Sequence, residues 1–134
     1  MSPILPAPIA RWHEVVATKD LSHFVDLLAD DVVLHSPVVH VPQRGKALVA
    51  NYLRAAVAVL GNDSFRFVGE WLGERSAVLE LEVTISDVHV NGVDMIHWDD
   101  EGRVTQFKVM MRPLKALNAI APLMARQLQA AGHG

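Results

Sequence analysis

Cysteine is absent from this chain. That excludes disulfides, thiolate nucleophiles and cysteine-ligated zinc, and it fits a reducing cytoplasm. An excess of charge is lacking too. The formal net charge is −3, which gives no electrostatic basis for binding nucleic acid. No apolar run has the length needed to span a bilayer, so no membrane association is expected. The opening MSPILPAPIAR has no basic stretch and is interrupted by three prolines, a poor secretion signal. Seven histidines are present, at 13, 23, 35, 40, 89, 97 and 133. They form no HxH, no HExxH and no i, i+4 pair on a helix, so no metal is expected. Gly45-Lys46 lacks the preceding glycine and following hydroxyl residue of a phosphate loop, and no serine stands in a GxSxG turn. No cofactor is expected.

What the chain does have is hydrophobic material in ordered patterns. Half of its 134 residues are hydrophobic, enough for one globular domain spanning 1–134. No linker, repeat or low-complexity segment divides it. Residues 1–8 read as an extended lead-in and 132–134 as a loose tail. Ile9, Trp12, Val15 and Val16 recur at helical spacing and predict a helix over about 9–17. Asp20 reads as the N-cap of a second short helix, with Leu21, Phe24, Leu27 and Leu28 inward, ending at Ala29-Asp30-Asp31. A strand follows over 32–36, stopped by Pro37. PVVHVPQRG then forms a loop with His40 in its middle. Residues 46–60 predict a helix whose buried stripe includes Leu53 and Tyr52.

Strand patterns occupy 65–72, 77–85 and 88–98, with turns at Gly73–Ser76 and Ser86-Asp87 and an irregularity expected at Asn91-Gly92. In the first of these, Phe65, Phe67 and Trp71 share a face. Pro113 fits the first turn of a closing helix, which Pro122 should kink or break.

The segment GVDMIHWDDEGRVTQFKVMMRP, 92–113, predicts a hairpin closed by Asp99-Asp100-Glu101-Gly102. Pairing Trp98 with Arg103 sets Asp94 opposite Phe107. One face then carries Asp94, Ile96, Trp98, Thr105, Phe107, Val109 and Met111. The other carries Val93, Met95, His97, Val104, Gln106, Lys108 and Met110. A carboxylate on the more apolar face is costly unless it is paired, hydrogen-bonded or protonated, which makes Asp94 the first functional candidate. Internal hydrogen bonding or an edge position in water accounts for it equally well. The order of elements implies an α+β fold, with helices packed on the concave face of a curved antiparallel sheet. The mixed outer face predicts a homodimer.

Three stretches, LLADDVVLHSP at 27–37, RGKALVANYL at 44–53 and VDMIHWDDEGRVTQFKVMMRP at 93–113, resemble the nuclear-transport-factor-2-like superfamily. The similarity is to its SnoaL-like and ketosteroid-isomerase-like members, and it covers nearly the whole chain. It implies a cystatin-like cone. In the ketosteroid isomerases a protonated aspartate precedes the acidic hairpin turn and donates a hydrogen bond to an oxyanion; Asp94 matches that position. Ser36 stands where the family's general-base aspartate would be, and Trp12 where its oxyanion tyrosine would be. Steroid isomerisation by that mechanism is therefore not expected. The paired aspartates of the epoxide-hydrolase members are missing. SnoaL-like cyclases need fewer groups, and Asp94 with His40 forms a candidate acid/base pair.

Two functions follow as expectations. The first is a pocket for a small apolar molecule, with isomerase- or cyclase-like proton transfer at a carbonyl. Asp94 and His40 would be catalytic. Trp12, Ser36, Tyr52, Trp71, Phe107, Val109 and Met111 would bind the ligand. The second is a non-catalytic homodimeric binding module with Asp94 locked by internal hydrogen bonds.

Overall fold

The computed structural model describes residues 5–130. The N-terminal half of the expected lead-in and the expected tail lie outside them. Helix α1 runs Ala7–Thr18 and α2 Ser22–Val25, followed by strand β1 (Leu28–His35) and the short β2 (Gln43–Arg44). Helix α3 is Lys46–Leu60. Strands β3 (Arg66–Leu72), β4 (Ser76–Ile85), β5 (Val88–Trp98) and β6 (Val104–Arg112) come next, and α4 (Leu114–Ala130) closes the order. The strands form one curved, open sheet in the order β2-β1-β6-β5-β4-β3. All pairs are antiparallel except β1–β6, which is parallel, because β1 reaches the sheet through the long detour of α3 and the β3–β5 meander.

Several boundaries differ from the sequence pattern. Ala29, Asp30 and Asp31 do not end a helix; they belong to β1. Leu21, not Asp20, is the N-cap of α2, which has one turn; Asp20 Oδ1 instead accepts from the Ser22 amide at 3.0 Å and hydroxyl at 2.8 Å just ahead of it. Helix α4 continues as one element through Pro122. No irregularity occurs at Asn91-Gly92, where β4 and β5 stay in register throughout.

The hairpin before α4 closes as expected around Gly102, at φ 79°, with Asp99 Oδ1 accepting the amides of Glu101 and Arg103 at 2.9 and 3.0 Å. Its register differs. Trp98 pairs with Val104 and His97 with Gln106, leaving Thr105 as a bulge residue, so Asp94 lies opposite Val109, not Phe107. The longer loop and the bulge each add one step. Together they shift the register by two and return Asp94, Phe107, Val109 and Met111 to a common face. Val104 is the residue that changes side, and it is fully buried.

The core sits between the concave face and the helices. Ile9, Trp12, Phe24, Leu53, Leu79, Ile96 and Phe107 form its larger part. Leu60, Leu81, Val83, Val90 and Ile120 pack a second part beneath α4.

Candidate functional site

A cavity of about 300 Å³ opens within the cone. Its walls come from α1, the end of β1 with the loop after it, α3, the inner faces of β4–β6 and the apolar side of α4. The lining is almost wholly aliphatic and aromatic. Its polar side chains are those of Asp94, Ser36, Tyr52 and Trp12.

Asp94 is 5% exposed, in mid-β5, between Leu79 of β4 and Val109 of β6. Strand alternation alone directs it inward, flanked on its own strand by buried Gly92 and Ile96. Its Oδ2 accepts a hydrogen bond from Trp12 Nε1 at 3.1 Å. Burial disfavours the carboxylate and pushes the group up to about 7, while the indole N–H pulls the other way and offsets only part of this. A carboxyl poised there can donate as an acid or accept as a base near neutrality.

Trp12 is fixed by its neighbours. Its ring centroid lies 4.9 Å from that of Phe24, tilted, and 4.9 Å from that of Phe107, edge-on. Its one polar atom is committed to Asp94. Ser36, just past β1, lines the cavity, and its Oγ accepts the Val38 amide at 3.2 Å. Tyr52, Phe107, Val109 and Met111 also face the cavity.

Two expected site residues are elsewhere. His40 is exposed in the loop after β1 and does not line the cavity. The Asp94–His40 dyad is therefore not assembled; Val38 and Val39 of the same loop form the wall instead. Trp71 is 58% exposed and lies on the opposite face of the sheet. The cause is a bulge in β3: Phe67 pairs with Leu81 but Gly69 with Glu80, so the extra residue Val68 reverses the alternation beyond it.

The same reversal turns Glu70 inward, into the row Glu70–Leu79–Asp94–Val109. There its Oε1 meets His13 Nε2 at 2.6 Å. Consecutive residues of α1 thus reach two carboxyl groups of one sheet row. The alternation of β3 hid this pairing; only a bulge signal around Gly69 could have exposed it. Of the described residues, no group of three His, Asp or Glu side chains is placed to hold a metal ion, and no helix is long and apolar enough to cross a membrane.

The sequence matches the SnoaL-like domain over residues 9–107. Comparison with curated proteins gives no match. Among solved structures, a steroid delta-isomerase from Pseudomonas aeruginosa is similar at 35% identity and a TM-score of 0.88, covering 96% of this chain and 93% of that one. A bacterial protein with a cystatin-like fold from Silicibacter pomeroyi is 30% identical with a TM-score of 0.84, over 92% and 86% of the two chains. An NTF2-like protein from Mesorhizobium loti shares the fold at 16% identity and a TM-score of 0.68, over 84% and 98%. With this match across most of its length and a cystatin-like cone around its cavity, the chain belongs to the SnoaL-like family of the nuclear-transport-factor-2-like superfamily.

Proposed function

We propose that the protein takes a small, largely apolar carbonyl compound into the cone, with neutral Asp94 donating a hydrogen bond to the carbonyl oxygen. The observation that carries this is a lone buried carboxyl, held near neutrality, in an otherwise apolar cavity. A neutral acid in such a place offers one strong donor, and a ligand oxygen that accepts it gains most where water is excluded. Donation to the oxygen acidifies the carbon beside the carbonyl, which is the first requirement of isomerase- and cyclase-like proton transfer. The likeness to a steroid delta-isomerase supports a polycyclic apolar ligand and chemistry of this class.

A second reading has an observation of its own. Apart from Asp94, Tyr52 is the one titratable side chain in the cavity lining, and His40 is outside it. No separate base stands ready, which favours a binding module that does not turn its ligand over. In both readings the protein acts as a homodimer through the outer sheet face.

The test uses 2-acetylnaphthalene and 2-isopropenylnaphthalene, which share a shape but differ in the carbonyl oxygen. Below pH 7 the ketone should bind about tenfold more tightly than the hydrocarbon, the worth of one good hydrogen bond. The preference should fade as pH rises through about 7 and Asp94 loses its proton. Equal binding of the two at every pH refutes the reading. Deuterium uptake at the acetyl group in D2O, lost in Asp94→Asn, marks the enzyme; ketone binding without uptake marks the binding module.

A further inference from the structure

Two oxygens of Asp94 compete for one proton, and the geometry treats them differently. Oδ2 faces Trp12 Nε1 at 3.1 Å. An indole N–H is a donor only, so Oδ2 must accept. A proton on Oδ2 would either set donor against donor or leave only the poorly accepting hydroxyl oxygen for the indole, weakening that bond in a buried site. Oδ1 receives no hydrogen bond from the described residues. Trp12 cannot turn away to relieve a conflict, because Phe24 and Phe107 grip its ring from two sides.

We propose that Trp12 is a positioning residue that assigns the Asp94 proton to Oδ1, so that the cavity presents one donor of fixed direction. This rests on the reading of Asp94 as the ligand-facing acid and deepens it. The role differs from that implied by resemblance to the ketosteroid isomerases, where the residue at this place would itself touch the ligand oxygen. Here the side chain serves the carboxyl and has no polar atom left for the ligand. The site then selects ligands with a bare acceptor oxygen, such as a ketone, aldehyde or ester carbonyl. An apolar ammonium ligand would need the ionised carboxyl and is disfavoured while the proton is in place.

Among the described residues, Trp12 gives Asp94 its one side-chain hydrogen bond, and the rest of the cavity lining adds no charge. Its strand neighbours are Leu79 on β4 and Val109 on β6. From β1 come Leu34 and, just beyond, Ser36; from α3, Tyr52 and Leu53; from α4, Ile120 and Met124. None is charged; Ser36 Oγ accepts the Val38 amide and keeps its own proton, and neither its hydroxyl nor that of Tyr52 is hydrogen-bonded to Asp94. Glu70, two strands away in the same row, is engaged with His13.

The test needs no ligand at first. The chain has three tryptophans, so an ¹⁵N-correlated spectrum shows three indole N–H signals, and Trp71 and Trp98 serve as controls. The Trp12 signal should move downfield with pH, at the same midpoint as the Asp94 side-chain carbon, because its hydrogen bond strengthens as the carboxyl ionises. In Asp94→Asn that movement should vanish. In Trp12→Phe, which keeps an aromatic ring between Phe24 and Phe107, the Asp94 midpoint should rise because the ionised form loses its donor. A Trp12 indole that ignores the Asp94 titration overturns the proposal in the native protein, even if Trp12→Phe fails to fold. An unchanged or lowered Asp94 midpoint in a folded Trp12→Phe also overturns it. If the indole follows Asp94 but 2-acetylnaphthalene does not bind, the assignment stands and the proposed function falls.

Discussion

Asp94 stores a pH dependence that the rest of the molecule must carry. Its folded value of about 7 lies above the 3.8 of a free aspartate. Between those values the folded state holds a proton that the unfolded chain has released. Stability therefore falls as pH rises through this window and levels off above about 7, the reverse of a salt-bridged aspartate. The full span is worth about 4 kcal/mol. Asp94→Asn removes the titration while keeping an oxygen for the Trp12 N–H. Urea unfolding at pH 5 and pH 8 should show the native protein losing about 2–3 kcal/mol more than the variant between the two. Parallel losses in both proteins would mean that Asp94 is not held neutral. The candidacy of Asp94 was legible in the sequence, since acidic side chains rarely fall on an apolar strand face. That His40 would stay away from Asp94 was not. A loop residue's direction depends on tertiary packing, and PVVHVP turns Val38 and Val39, not His40, toward the cavity.

Elements place these residues, and at this scale the side chains assigned to the wrong sheet face share one source. A strand pattern gives the two faces only until a residue is inserted. Val68 in β3 and Thr105 in β6 are such insertions. The first sends Trp71 outward and Glu70 inward; the second takes Val104 into the core. The periodic helix α3 had no such ambiguity and forms over the expected residues. Helix α1 is held to the sheet by two side-chain bonds, Trp12 to Asp94 and His13 to Glu70, and His13 also lies edge-on to Phe67 at 5.0 Å. The β4–β5 hairpin has a weak point of its own. Ile85 pairs with Val88, so Ser86 and Asp87 form a two-residue loop, and both have positive φ, 49° and 64°. That is the backbone of a type I′ turn, in which glycine at the second position removes a side-chain clash. Asp87→Gly should raise stability by roughly 0.5–1 kcal/mol, read from the urea midpoint. A loss of stability would show that the Asp87 side chain holds the turn.

The molecule as a whole has one face committed to the cavity and one uncommitted. On the outer face Val68, Trp71 and Met110 are exposed, Met110 at 51%, around half-buried Val78, Val93 and Met95. Acidic side chains stand on β4, at Glu80 and Glu82. Two cations stand on β6, Lys108 and Arg112, without an ion-pair partner among the described residues. A two-fold axis along β5 would lay Glu82 of one copy, which also pairs with its own Arg66 and His89, over Arg112 of the other, and Glu80 over Met110. We propose that this face pairs with a second copy of itself in a symmetric dimer. Met110→Glu adds a like charge beside the acids of the opposite copy. Sedimentation should show a dimer for the native protein and a monomer for the variant, each with unchanged secondary structure. A native monomer at micromolar concentration would remove the dimer from the account.

The claim on which the functional account turns is that neutral Asp94 meets the ligand's oxygen. Its most direct measurement is the NMR titration of the Asp94 side-chain carboxyl, with and without saturating 2-acetylnaphthalene. The free protein should titrate near 7. A ligand that binds the protonated form must raise that midpoint, by linkage, as far as it prefers that form. A midpoint well above the free value is the predicted result. A midpoint that stays in place or falls when the ketone binds would contradict the account, because Asp94 would then be giving the ligand no proton to share.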